Sequence, residues 1–173
     1  RLRTAESFGA LWAVDQVAQQ LGIKTALGVT HQAELAYWQV LARVLRPGAS
    51  LLAMVRLAST CAAAAMLGWR LAFTEDDLYT NGAWLEGRHR VIERRLWESR
   101  PDQEGEQLFL YDVTSSYYEG RTCPLAQLGH DRDGKSGLPI IVYGVLTDAA
   151  GRPVAVDVYP GNTGDPTTVP AQL

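Results

Sequence analysis

Apolar residues in the first part of the chain recur at three- and four-residue spacing. Phe8, Leu11, Trp12, Val14, Val17, Ala18 and Leu21 form one series, and Gly22 stands where a helix C-terminal cap belongs. A second series over His31 to Leu45 runs through Leu35, Trp38, Leu41 and Leu45 and stops at Pro47-Gly48. The Ala-rich stretch Leu51 to Leu67 predicts a third helix. Thr74 with Asp77 three positions later makes a capping-box-like start, after which Leu78, Leu85, Ile92 and Leu96 share one face until Ser99-Arg100-Pro101. Asn81-Gly82 is a candidate break within that helix. From Gln107 onward β-branched and aromatic residues dominate and turn residues separate short runs, which predicts strands at Gln107 to Val113, Leu138 to Leu146 and Pro153 to Tyr159. Thr147 to Gly151 turns the second strand into the third, and Asp165-Pro166 opens a further helix. The pattern is that of an α+β protein: a helical region over 1–100, a boundary in the Pro- and acid-rich Pro101 to Glu106, and a mainly antiparallel strand region over 107–173.

Composition narrows the classes without choosing among them. With 173 residues, 47% hydrophobic and 20% charged, the chain has globular material for one good core or two small ones, which excludes disorder and fibrous repeats. A net charge of −3 and a pI near 5.6 give no global attraction to nucleic acid, so any such contact must be local. Ala49 to Trp69 is apolar, but Arg56 interrupts it and leaves too short a run for a bilayer, so no membrane association is expected. Cys61 and Cys123 stand far apart outside any CxxC pattern, which fits reduced thiols and a cytoplasmic location. The chain opens on Arg1-Leu2-Arg3 without a signal-peptide layout and reads as a cut through a longer one.

Asp112 is the residue on which candidate chemistry turns. It sits in Phe109-Leu110-Tyr111-Asp112-Val113, where an apolar strand should still be packing, and a buried carboxylate needs a positive partner. Its alternative is a strand-end Asp that caps the turn through Val113-Thr114-Ser115. The strand, the antiparallel pair and the following helix also have the layout that opens a ribonuclease-H-like core.

Three blocks, Tyr111-Asp112-Val113-Thr114-Ser115-Ser116-Tyr117-Tyr118-Glu119-Gly120, Gly129-His130-Asp131-Arg132-Asp133-Gly134-Lys135 and Gly161-Asn162-Thr163-Gly164-Asp165, resemble in order and separation insertion-sequence transposases with a DDE catalytic core. The resemblance implies an incomplete ribonuclease-H-like core preceded by a helical region. It makes Asp112 the first of three carboxylates that hold two Mg²⁺ or Mn²⁺ ions, a hard-cation, oxygen-ligand chemistry suited to phosphodiester cleavage. Its partners would be DNA, at transposon ends and target, and further copies of the same chain. The second and third acidic residues of that pattern are expected beyond Leu173, so the chain by itself is expected to bind metal poorly and to catalyse nothing. A remnant that binds DNA or a subunit without chemistry is the alternative.

Other polar residues have plainer readings. Asp165 precedes Pro166 as a helix N-cap would. Glu119 belongs to a loop, and Asp157, alternating with Val156 and Val158, is expected to face solvent. Arg132 and Lys135 are candidates for phosphate contacts beside the active site, although Asp131-Arg132 departs from the Ser-Lys pair common in the resembling family. Arg88, Arg90, Arg94, Arg95 and Arg100, spaced among Glu86, Glu93 and Glu98, predict an ion-paired helix face. Tyr117 and Tyr118, like the five tryptophans, read as packing residues. Cys123 and His130 lack the further ligands of a zinc site, and neither a P-loop nor a GxSxG elbow is present.

Overall fold

The computed structural model describes residues 7–68, 72–101, 109–129, 137–164 and 168. Contacts divide the chain into two compact units, Arg1–Arg100 and Pro101–Leu173. The described residues of the first unit form seven helices: α1 (Gly9–Gln20), α2 (Ile23–Leu27), α3 (His31–Leu45), α4 (Leu51–Thr60), α5 (Ala63–Leu67), α6 (Glu75–Glu86) and α7 (His89–Glu98). Those of the second form a three-stranded sheet of β1 (Phe109–Tyr117), β2 (Ile140–Asp148) and β3 (Pro153–Pro160). The molecule is α+β, with the helices first and an antiparallel sheet after them.

In the helical unit α3 is the central element. Ala33, Leu35, Ala36, Tyr37, Trp38, Leu41 and Ala42 are all buried, and α1, α2, α4 and α6 pack around it. Thr30 starts it, its hydroxyl accepting from the Ala33 N–H at 3.2 Å. Trp38 is wholly buried and donates its indole N–H to the Met54 carbonyl at 3.3 Å, so a large apolar body enters the core with its polar atom satisfied. Each such side chain stabilises the fold by roughly 1.5–3 kcal/mol through burial alone.

The apolar series of α1 is only partly a core face. Leu11 and Ala18 are buried, but Phe8, Trp12, Val17 and Leu21 each keep about half their surface in solvent, the last two beside an apolar groove shared with α3. Trp12 therefore departs from the expectation that the tryptophans pack inside. Trp69 lies outside the described residues.

Two helix boundaries differ from those the sequence predicts. Leu51 to Leu67 is two helices, because Cys61 turns extended and forms a parallel bridge with Ser7, whose carbonyl accepts from Ala62 N–H at 3.1 Å. Ser59 and Thr60 hydroxyls bond back to the carbonyls of Arg56 and Leu57, competing with helix propagation. Conversely, Asn81-Gly82 does not split α6. Asn81 is buried and donates to the Gln39 side chain at 3.2 Å, while Gln39 donates to the Leu78 carbonyl at 3.1 Å, and the turn comes later at Gly87-Arg88. The capping box at Thr74 and Asp77 forms as its spacing predicts.

The sheet has the order β1-β2-β3 with antiparallel neighbours throughout. All three strands continue past their expected ends, most notably β1, in which Thr114-Ser115-Ser116-Tyr117 pairs with Ile140 to Tyr143. The β2–β3 turn is held by Asp148, whose carboxylate accepts from the N–H groups of Ala150 (3.0 Å) and Arg152 (2.9 Å) and from the Arg152 guanidinium (2.7 Å). Beyond it Thr147 faces Pro153 and Leu146 faces Ala155, so Val154 is an extra residue that bulges out of β3. The helix expected at Asp165 lies outside the described residues.

Candidate functional site

Strand register decides which side chains can meet. Tyr111, Val113, Ser115 and Tyr117 share one face of the sheet with Ile140, Val142, Gly144 and Leu146 of β2 and with Ala155, Asp157 and Tyr159 of β3. Val113, Ile140 and Val142 are buried on this face, with Tyr111, Tyr117 and Tyr159 packed against them. Asp112 stands on the other face. Its cross-strand partner is Val145, Val156 lies beyond it on β3, and Leu110 and Thr114 flank it along its own strand.

Asp112 is exposed, and it makes no hydrogen bond or ion pair with any described residue. The expectation of a carboxylate embedded in a packing strand is thus revised: only Val113 of β1 is buried. No desolvation penalty forces a partner on Asp112, and its carboxylate is open to an incoming cation. It is not a turn cap either, since β1 runs on for five residues past it.

No other described carboxylate joins it. Asp157, expected to face solvent, is half-buried on the closed face, because the bulge at Val154 sets the side on which the following residues stand; Val156 (41%) and Val158 (48%) are the exposed ones. Asp157 accepts from the Tyr159 hydroxyl at 3.4 Å. Asp148 belongs to the hairpin turn. Burial pushes its carboxyl up, but the bonds from the Arg152 backbone and guanidinium, the Arg152 charge and the Ala150 N–H outweigh it and hold the group below the usual carboxylate range. Glu119 is exposed in the loop after β1. No group of three or more His, Cys, Asp or Glu able to hold a metal ion occurs among the described residues. Asp112 alone is one ligand, and these residues do not make a Mg²⁺ or Mn²⁺ site without carboxylates from elsewhere.

Arg132, Lys135, His130 and Asp165 lie outside the described residues. The residues flanking the first three are visible at the far end of β1. Gln127 bridges Ile140, exchanging N–H···O bonds of 3.1 and 2.9 Å, and Ile140 faces Tyr117, five residues along the strand from Asp112 and about 17 Å by strand rise. Gly129 and Gly161 meet there with no room for a Cβ on either, so the openings of the second and third blocks named above come together at this end of the sheet.

Among the described residues, one ion pair of the face that the spacing of the α7 arginines predicts is formed. Arg90 pairs with Glu93 at 3.4 Å, whereas Arg94 is exposed and has no charged partner among the described residues. Arg95 instead donates to the Ala26 carbonyl at 3.0 Å, joining α7 to the end of α2. Arg88 and Arg100 lie over the Trp84 and Trp97 rings at 5.6 and 5.3 Å. No helix among the described residues is long and apolar enough to cross a membrane.

Two features escaped the sequence reading. Asp15 lies between Leu11 and Ala18 on the buried side of α1 and bonds Tyr37; a lone acid inside an apolar series was the signal. Gly144 interrupts a β-branched run at the middle of β2, a usual mark of close approach by another group. No protein-family model, curated protein or solved structure matches this chain.

Proposed function

We propose that this chain is part of a DDE-type transposase, comprising the helical region and the first three strands of a ribonuclease-H-like core, with Asp112 as the first of its metal-binding carboxylates. The observation that carries the reading is the position of Asp112: exposed, without an ionic partner among the described residues, on the opposite face of the first strand from the packed side chains. An acid there costs the fold little and can serve a ligand. Further support comes from the three sequence blocks and from the antiparallel order of the strands that carry them. In this reading two Mg²⁺ or Mn²⁺ ions would activate the attacking oxygen and stabilise the leaving one at a DNA phosphodiester. This chain contributes one carboxylate to them, and the remaining acids come from the rest of the protein. Arg132 and Lys135 are proposed phosphate contacts, DNA ends and target the substrates, further copies of the chain the partners, and the cytoplasm the location.

A second reading, a non-catalytic module that binds DNA or a subunit, draws on the absence of a second acid beside Asp112 among the described residues. Manganese-dependent nicking of supercoiled DNA by the complete reading frame containing this chain separates the two. Cleavage that disappears with Asp112→Ala supports the transposase. Cleavage that survives the substitution, or no cleavage by a well-folded complete protein, supports the module.

A further inference from the structure

The sequence around Asp112 does not by itself choose the face on which it stands. A strand's side is set by apolar alternation, yet β1 carries apolar residues on both faces at its start, with Leu110 53% exposed on one and Phe109 37% exposed on the other. After Val113 it is polar through Thr114, Ser115 and Ser116. A slip of one residue against β2 would turn Asp112 onto the closed face and still leave an apolar residue on each side.

What distinguishes the observed register is the fit of Tyr111 over Gly144. Tyr111 faces Leu146, and its ring reaches diagonally across the strand pair to cover Gly144, which is itself opposite Val113. A Cβ on Gly144 would run into the Tyr111 hydroxyl and lie 2.8 Å from the ring carbon that bears it and 3.0 Å from the next. The glycine is paired on both sides, to Val113 and to Asp157, so its backbone has no freedom to move away. The hydroxyl is buried without a hydrogen-bond partner among the described residues, so it and the ring edge that bears it make the fit by close contact rather than by a hydrogen bond. No other position of β2 offers the ring such a space, since Ile140, Val142 and Leu146 fill that face on either side.

We infer that Tyr111 and Gly144 are positioning residues for Asp112: the ring seated on the bare glycine locks the β1–β2 register and thereby holds the Asp112 carboxylate on the open face of the sheet. The register lock is independent of any catalysis, and the positioning role rests on the transposase reading.

Cross-strand NMR contacts between Val113 and Gly144 in this chain report the register directly. They should persist in Tyr111→Phe, which keeps the ring, and be lost or exchanged for another pairing in Tyr111→Ala and in Gly144→Ala. Should Gly144→Ala fail to fold, Tyr111→Ala decides alone. Persistence of the native contacts in Tyr111→Ala overturns the inference. In the complete reading frame, at temperatures where each variant is folded, Tyr111→Ala should lower kcat for manganese-dependent nicking by about 100-fold, the scale of an ångström-level misplacement, with DNA affinity unchanged and Tyr111→Phe near wild type. If Asp112→Ala abolishes nicking but Tyr111→Ala leaves kcat intact, positioning is refuted and the transposase reading stands. If the register moves in Tyr111→Ala while Asp112→Ala nicks normally, the lock is upheld and the transposase reading is refuted.

Discussion

Tyr37 donates its hydroxyl to the Asp15 carboxylate at 2.7 Å inside the helical unit, across 22 residues of sequence and between α1 and α3. Both residues are nearly inaccessible, at 1% and 4% exposure. The other carboxylate oxygen accepts from Gln19 at 2.6 Å, so the acid is held by two side-chain donors. Tyr37→Phe removes one of them and leaves a buried charge short of a partner. The expected loss is about 1–3 kcal/mol, read from urea unfolding followed by helical circular dichroism.

The same pair sets an alkaline limit. Burial pushes the Tyr37 hydroxyl above its ordinary value, and the bond to Asp15 and its negative charge push the same way. A raised phenol favours the neutral form in the folded state, so its contribution is fully present below about pH 10 and is lost as pH climbs beyond it. Thermal melts of the wild type should fall more steeply above that pH than those of Tyr37→Phe.

At the sheet hairpin the sign is opposite. The Asp148 carboxyl lies below its ordinary value, so its contribution is present above about pH 3.8 and is lost as pH falls through and below that point. Amide protection factors at Ala150 and Arg152 should fall on acidification through that range. In Asp148→Ala they should be low at every pH.

Thr74→Ala should cost about 1 kcal/mol, since the hydroxyl accepts from the Asp77 N–H while the Asp77 carboxylate accepts from the Thr74 N–H at 2.7 Å. Thr74→Ser should keep most of that stability, which denaturant midpoints of the two variants will show.

Asp112→Asn should change stability by no more than about 0.5 kcal/mol, because the side chain is exposed and makes no contact with the described residues that the amide would lose. A large destabilisation would instead mark Asp112 as structural. Comparing its unfolding midpoint with its nicking rate separates the two roles within one variant.

The sequence made the helices legible where local chemistry and packing agree. His31 to Leu45, with its end at Pro47-Gly48, keeps those limits in the structure. Where a distant residue competes, the local pattern loses. Ser7 bridges to Cys61 and ends a helix that alanines would have continued, while Gln39 receives Asn81 and holds together a helix that Asn-Gly would have broken. Apolar spacing put Leu11, Trp12, Val17 and Ala18 in one helical series but could not show that Leu11 and Ala18 are buried while Trp12 and Val17 stay half in solvent. At the candidate site Asp112 was visible as an acid in a strand, yet its side of the sheet is a property of pairing with β2. The fate of Asp157 depended on one further residue still.

That residue is Val154. Had Val154 paired with Leu146 instead of bulging, counting on from Thr147 and Pro153 would set Asp157 opposite Tyr143 rather than Gly144, and every later side chain would change sides. Val156 and Val158 would then point inward, and Asp157 would join Asp112 as a second acid on a common surface. The bulge therefore acts as a parity switch, able to bring two carboxylates to one side or part them without altering either.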